Sequence, residues 1–197
     1  KVLKGSWQTT ELLGAFQAAS KTVDAFLHRK KQLSQHEVLR EPWIARSVSQ
    51  WLSPSGALFI GNSMPIRDMD SFGDSVDGSR RGAVASNRGS SGIDGILSSG
   101  IGFAPGSQLP TCTVPGHMSF LHELNALHIL RKGGNYVRKP VTVIVVNNGG
   151  GGIFSMLPIA SHPDIFTPVF DTPHHVTFED IASTFGLTYE SAKSCEE

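Results

Sequence analysis

Apolar positions along the chain follow two regimes. From about Thr9 to Leu33, Leu12, Phe16, Val23 and Phe26/Leu27 recur on or near one face, which predicts a helix. Ser34-Gln35-His36-Glu37 has the capping-box form that opens a second one. A fresh helix is predicted from Pro42, a residue tolerated in the first turn, with Ile44, Val48 and Leu52 at intervals of four; Ser53-Pro54-Ser55-Gly56 ends it.

The second regime consists of short, unbroken apolar runs. Ala57-Leu58-Phe59-Ile60, bounded by glycine, predicts a strand buried on both faces. Ala83-Val84-Ala85 predicts a second strand, and Thr111-Cys112-Thr113-Val114 a third, weakened at its ends by Pro110 and Pro115. Val141 to Val146 predicts a fourth, the strongest in the chain. Between them, Ile96, Ile101 and Phe103 predict a glycine-rich helix packed tightly on the sheet. Phe120, Leu121, Leu124, Leu127 and Leu130 predict a helix over 119–132, and a later helix covers about Phe178 to Phe185. Apolar strands separated by helices indicate an α/β fold with a doubly wound parallel sheet. Ligands of such sheets bind at the carboxyl ends of the strands. The turns at 61, 87, 116 and 147 all fall there, so a single crevice is expected to collect them.

Composition narrows the function. Seventeen basic and seventeen acidic side chains cancel, so no field draws the chain to nucleic acid or to an anionic membrane. The apolar runs are too short for a membrane span. Two cysteines, Cys112 and Cys195, make neither a disulfide framework nor a metal-type spacing, and a reducing compartment is expected. The chain starts at Lys1 without a signal or transit pattern and runs out after Tyr189 on the approach to another strand. It therefore reads as a piece of a longer protein, with a sheet incomplete at the C-terminus.

Candidate chemistry sits in the turns. Gly61-Asn62-Ser63-Met64-Pro65-Ile66-Arg67-Asp68 and Ser86-Asn87-Arg88-Gly89-Ser90-Ser91-Gly92-Ile93-Asp94-Gly95 each place polar groups and an arginine in a glycine-marked turn. Backbone that approaches a small molecule closely needs such glycines, and arginine suits an anion. Gly116-His117-Met118-Ser119-Phe120 opens a helix directly after a strand, the arrangement of a phosphate site. Asn147-Asn148 followed by Gly149 to Gly152 offers amide and carbonyl oxygens suited to magnesium. Together these predict a site for a metal-bridged diphosphate.

Gly116, the residue after it, and Asn147-Asn148 resemble the diphosphate-binding motif of thiamine-diphosphate enzymes, which runs Gly-Asp-Gly to Asn-Asn. The two arginine blocks, Ser119-Phe120-Leu121-His122-Glu123-Leu124-Asn125-Ala126-Leu127, and Val146 to Pro158 resemble the 2-succinyl-5-enolpyruvyl-6-hydroxy-3-cyclohexene-1-carboxylate synthases of menaquinone and phylloquinone biosynthesis. Arg138-Lys139-Pro140 and Leu157-Pro158-Ile159-Ala160 look most like the plastid form, one part of a multifunctional phylloquinone protein. The resemblance covers roughly residues 42 to 185. It implies the tail of a central domain over 1–41 and a thiamine-diphosphate-binding domain over 42–197.

The resemblance also implies roles. Ser63 and Arg67 line the substrate pocket, and Arg88 is a second cation for the carboxylates of 2-oxoglutarate and isochorismate. Asn62 belongs to the cofactor site, Gly92 offers its carbonyl to the aminopyrimidine, and Ile93 is the wedge that bends the cofactor. His117, Asn148 and the Gly150 carbonyl take the metal-ligand positions for Mg2+ or Mn2+. Ser119 and Phe120 lie at the diphosphate, and Ile153 and Phe154 are apolar walls. The implied reaction is decarboxylation of 2-oxoglutarate and conjugate addition of the succinyl carbanion to isochorismate, in a homo-oligomer with sites shared between subunits. The implied location is the chloroplast for a plant or alga, and the cytoplasm otherwise.

Three features depart from the family pattern. Asp is expected where this chain has His117, Pro115 stands in a central strand, and Gly133-Gly134-Asn135-Tyr136 stretches the interval from His117 to Asn148. The resemblance implies that the glutamate that activates the aminopyrimidine belongs to an N-terminal domain, expected to lie outside these 197 residues. Two alternatives therefore stand beside the transferase: a degenerate, non-catalytic copy, and a dinucleotide-binding α/β domain. For the second, no Gly-x-Gly-x-x-Gly opens a helix with an acidic residue some twenty positions on. His174 and His175, being adjacent, are expected to point apart and form no joint metal site.

Overall fold

The computed structural model describes residues 9–33, 38–52, 54–74, 82–89, 92–131 and 138–194. The proposed capping box at 34–37, Ser90-Ser91 and the stretch 133–136 lie outside them. The chain divides into two compact units, Lys1–Leu39 with Lys193–Glu197, and Arg40–Ala192. In the first unit, α1 (Thr9–Leu33) has the predicted length, and Leu39 N–H donates to the Lys193 carbonyl at 2.8 Å.

The second unit holds a four-stranded, wholly parallel sheet of β1 (Ala57–Ile60), β2 (Ala83–Ser86), β3 (Thr111–Val114) and β4 (Val141–Val143), in the order β2-β1-β3-β4. The crossovers carry α3 (Met64–Phe72), α4 (Ile96–Ser107) and α5 (His117–His122), while α2 (Glu41–Trp51) precedes β1 and α7 (Phe178–Thr184) follows β4, with α6 (Pro163–Phe166) between. Alternate residues of the central strands serve opposite faces. Leu58, Ile60, Cys112 and Val114 pack with Val48 of α2, with Leu52 just past its end, and with Ile66 and Met69 of α3. On the other face, Leu97 and Ile101 of α4 pack with Phe120 and Leu127, joined by Phe178 and Ile181 of α7. Helices thus cover both faces, and β1 and β3 are buried throughout, as a doubly wound sheet requires.

Two elements differ from expectation for identifiable reasons. The run Val141 to Val146 is a strand only to Val143, with Val146 returning as an isolated bridge to Gly116. Ile144 and Val146 still donate to the carbonyls of Thr113 and Pro115. The reverse bond at Pro115 cannot form because proline has no N–H, so the ladder opens there. The helix expected over 119–132 is α5, ending at His122, followed by a 3-10 helix over Leu124–Leu130. The break falls at Glu123, which leaves the helical region at φ −119° and ψ 30°.

The glycine-rich α4 lies directly on the sheet, and Gly100 is the point of contact. A Cβ there would stand 2.6 Å from Thr113 Oγ1 and 3.1 Å from Phe59 Cδ1. Thr113 is fully buried on a central strand and has no room to yield. Gly100→Ala is therefore expected to destabilise the fold by about 1–3 kcal/mol through overpacking. Chemical denaturation checks this; a neutral or stabilising result would show that α4 is free to lift from the sheet.

Candidate active site

Four loops leave the carboxyl edge of the sheet, and hydrogen bonds tie them to one another. Gly61 N–H donates to the Val114 carbonyl at 2.8 Å, holding the loop after β1 against the end of β3. Asn62 Nδ2 donates to the Gly92 carbonyl at 3.3 Å, joining it to the loop after β2. Ser63 has φ +67° and ψ −128°, a strained combination for a residue with a side chain. Its carbonyl accepts Arg67 Nη1 at 2.6 Å, leaving the other guanidinium donors of this exposed side chain for an anion.

In the loop after β2, Asn87 Nδ2 donates to the Gly95 carbonyl at 3.1 Å and to Ser99 Oγ at 3.0 Å, which fixes the entry to α4. Arg88 is exposed, and Ile93 is 46% exposed. Gly95 brings no side chain to cap α4. Glu123 does this from a distance, accepting Leu97 N–H at 2.6 Å and the Ser98 hydroxyl.

The loop after β3 begins at Gly116, where nothing stands within 4 Å of the place a Cβ would take. His117 is 4% exposed. Its N–H donates to the Val146 carbonyl at 3.0 Å, and its Nδ1 meets the same oxygen at 3.3 Å. A carbonyl only accepts, so Nδ1 carries the hydrogen. Burial lowers the His117 pKa; the Val146 carbonyl opposes this, neighbouring His174 adds to it, and Glu41 opposes it. The ring is neutral at pH 7, and Nε2 presents a bare lone pair, buried and without a hydrogen-bond partner among the described residues. The His174 ring centroid lies 4.8 Å away, while His174 Nδ1 accepts Val176 N–H at 3.3 Å. Ser119 and Phe120 are buried, and the Phe120 side chain belongs to the core beside Leu97 and Ile101. Only its main chain is left to face a ligand.

After β4, Asn147 Oδ1 accepts Gly149 N–H at 3.1 Å and Asn148 Oδ1 accepts Gly150 N–H at 3.4 Å, two consecutive Asx turns. Asn148 Nδ2 donates to Glu41 Oε1 at 2.8 Å. A carboxylate only accepts, so Glu41 holds the amide nitrogen and turns Oδ1 towards the glycine loop. The Gly150 carbonyl accepts Gly152 N–H at 2.9 Å. A Cβ on Gly150 would come within 2.8 Å of the Asp171 carbonyl, so the loop needs glycine for close packing against that segment. Ile153 is half-buried, and Phe154 is 38% exposed with its ring edge-on to Phe170 at 5.6 Å.

The structure thus gathers the candidates of all four loops at one edge. It adds Glu41, Asp68, Glu123 and His174, to which the sequence reading gave no role. The His174 ring meets His117. The donors at the metal-ligand positions suit magnesium poorly. They comprise one imidazole nitrogen and two neutral oxygens, both already accepting backbone N–H groups. Among the described residues no group of three or more His, Cys, Asp or Glu side chains could hold a metal. The room at Gly116, the Gly92 carbonyl and exposed Ile93 do fit an organic cofactor laid along this edge.

Asp68 is buried in α3 and hydrogen-bonded to Glu41; desolvation, then the Glu41 charge and the hydrogen bond, raise its pKa from 3.8 to about 6. The folded pKa exceeds the unfolded one, so the folded state holds the proton more tightly. This group therefore favours folding most below pH 4, and stability declines as pH rises through 6. Asp68→Asn is expected to remove the decline and leave the variant about 1–3 kcal/mol more stable than wild type at pH 8. Urea denaturation from pH 4 to 8 checks it; parallel curves would rule out a shared proton. Glu123→Ala is expected to cost about 1–2 kcal/mol by uncapping α4, read as a lower denaturation midpoint.

The chain is 40% identical over 201 residues to the chloroplastic protein PHYLLO of Arabidopsis thaliana, a match covering 93% of this chain and 11% of that protein. It is 45% identical over 150 residues to the 2-succinyl-5-enolpyruvyl-6-hydroxy-3-cyclohexene-1-carboxylate synthase of Prosthecochloris aestuarii, covering 76% of this chain and 25% of the relative. The synthase of Chlorobaculum parvum is 46% identical over 161 residues, covering 82% and 27%. The chain therefore spans a quarter or so of these synthases and about a tenth of PHYLLO. A solved structure, the thiamine diphosphate-dependent 4-hydroxybenzoylformate decarboxylase of Rhodococcus jostii RHA1, superposes with a TM-score of 0.54 at 21% identity, covering 81% of this chain and 28% of that one, and shares the fold. No protein-family model matches. Over the residues it spans, this chain is similar to part of the 2-succinyl-5-enolpyruvyl-6-hydroxy-3-cyclohexene-1-carboxylate synthases.

Proposed function

We propose that this chain is the diphosphate-binding part of a thiamine-diphosphate-dependent enzyme that decarboxylates 2-oxoglutarate and adds the succinyl unit to isochorismate in menaquinone or phylloquinone biosynthesis. The observation that carries this is the meeting of four motif loops at one edge of a parallel sheet, cross-linked from Asn62 to Gly92 and from His117 to Val146. Thiamine diphosphate, when bound, supplies the carbanion chemistry. The protein's part is to bind, orient and exclude water.

In this reading Arg67 and Arg88 pair with substrate carboxylates, and Ser63 is held in the pocket by the strained turn that Arg67 braces. The Gly92 carbonyl already accepts from Asn62 and keeps a second lone pair for the aminopyrimidine. Ile93 supports the cofactor between its rings. Main-chain groups from Ser119 and Phe120 meet the diphosphate, while Ile153 and Phe154 shield the reacting carbon from water. His117, Asn148 and the Gly150 carbonyl stand at the positions the resemblance gives to a divalent ion, with donors that suit magnesium poorly. A homo-oligomer with shared sites, and a plastid location as in the name of the Arabidopsis relative, belong to the same proposal.

The lack of a carboxylate at the metal position favours a second reading, a copy that keeps the fold without catalysis. Calorimetric titration with thiamine diphosphate and a divalent ion, run beside NAD, separates these: binding of the thiamine cofactor is expected, and its absence with every ion would defeat the proposal. The 197-residue chain by itself is expected to yield no product from 2-oxoglutarate and isochorismate. In the longer protein, Arg67→Ala and Arg88→Ala are each expected to lower kcat/KM by about tenfold to a hundredfold, the loss of one charge-assisted hydrogen bond. Unchanged kinetics would remove the arginines from the substrate site.

A further inference from the structure

We infer that Glu41, in the first turn of α2, is a positioning residue of the candidate site: its carboxylate fixes the Asn148 amide and, through it, the glycine loop after β4. The inference rests on the thiamine-diphosphate reading and adds to it a residue that acts through another.

The Asn148 amide is held at both ends. Its Nδ2 donates to Glu41 Oε1 at 2.8 Å, and its Oδ1 accepts Gly150 N–H at 3.4 Å. A carboxylate only accepts, so the amide cannot turn over without losing Glu41. It also lies close on the loop that it anchors, since a Cβ on Gly152 would stand 2.5 Å from Nδ2. Glu41 is braced in turn by Asp68 of α3, which is hydrogen-bonded to it. Asp68 is buried, Glu41 half-buried and Asn148 exposed, so a line of hydrogen bonds runs from the interior to the edge. That line joins α3, α2 and the loop after β4 across 107 positions of chain, and no strand pairing supplies it. Consecutive glycines from 149 to 152 lose more backbone freedom on ordering than other residues would. An anchor at the residue before them limits that freedom in the free protein, so less is lost when a ligand binds.

Calorimetry with thiamine diphosphate, and the divalent ion that gives the unaltered chain its tightest binding, reads the effect. Glu41→Ala should weaken binding by about tenfold. Glu41→Gln should restore it to within about twofold, because its Oε1 accepts from Asn148 and its amide N–H groups donate to Asp68. Glu41→Asp keeps the charge but is one methylene too short, and should not restore it. In an Asn148→Ala background, Glu41→Ala should change the affinity by less than about twofold, because the group it acts through is gone. A merely structural role would lower the affinity equally in both backgrounds. NMR of the ligand-free chain gives a second readout. One carboxamide proton of Asn148 should be shifted from the position of a free asparagine in the unaltered chain and in Glu41→Gln, and return towards it in Glu41→Ala. Unchanged affinity in Glu41→Ala, equal losses in the two backgrounds, rescue by Glu41→Asp, or an Asn148 amide indifferent to residue 41 would each overturn the inference and leave the cofactor reading standing. Failure of the unaltered chain to bind thiamine diphosphate would overturn the cofactor reading itself, and the amide signals would then decide whether Glu41 sets the loop.

Discussion

Between β1 and β3 the chain reverses the direction in which it builds the sheet, adding β2 on one side and β4 on the other. The pairing of these two strands, buried on both faces and in register from Ala57 with Thr111 to Ile60 with Val114, holds the rest in place. Loops that leave neighbouring strands on opposite sides of a reversal diverge, and the space between them is a crevice. Here the Gly61 N–H bond to Val114 clamps the floor of that crevice, and Asn62 reaches across to Gly92. The helical layers add burial on each face, but their position follows from the seam. Gly100 of α4 rests on Thr113 and Phe59, one residue from each of its strands.

Much of this was legible in the sequence, because an apolar strand closed by glycine is a local signal. β1, β2 and β3 could be placed to within a residue, and the loop blocks at 61, 87, 116 and 147 followed from them. What was hidden depends on partners distant in the chain. The length of β4 is decided by Pro115 on another strand, through a donor that proline lacks. The end of α5 falls at Glu123, whose carboxylate serves α4 some 26 residues earlier. Glu41 lies 107 positions from Asn148, and no periodicity announces that one fixes the amide of the other. The adjacency of His174 and His175 suggested two side chains pointing apart, and the significant neighbour of His174 was His117.

The polar groups behind the crevice form a graded environment. Glu41 accepts from Asn148 and shares a hydrogen bond with Asp68, so negative charge gathers on the α2–α3 side. On the other side the His174 ring lies between His117 and Phe178, Phe178 packs on Phe120, and burial disfavours the charged form of His117. A ligand spanning the edge would meet donors and lone pairs whose orientation is set before it arrives, which is how a fold lowers the reorganisation that binding requires.

The Val146 carbonyl receives both the main-chain N–H and the ring of residue 117. The main-chain bond closes the last link between the ends of β3 and β4 and is indifferent to the side chain; the ring bond is an addition to it. An aspartate, asparagine or histidine at 117 can thus be exchanged while the sheet keeps its closure. Position 117 is thus one where the side chain at the edge can change while the strand ends stay linked through the main chain.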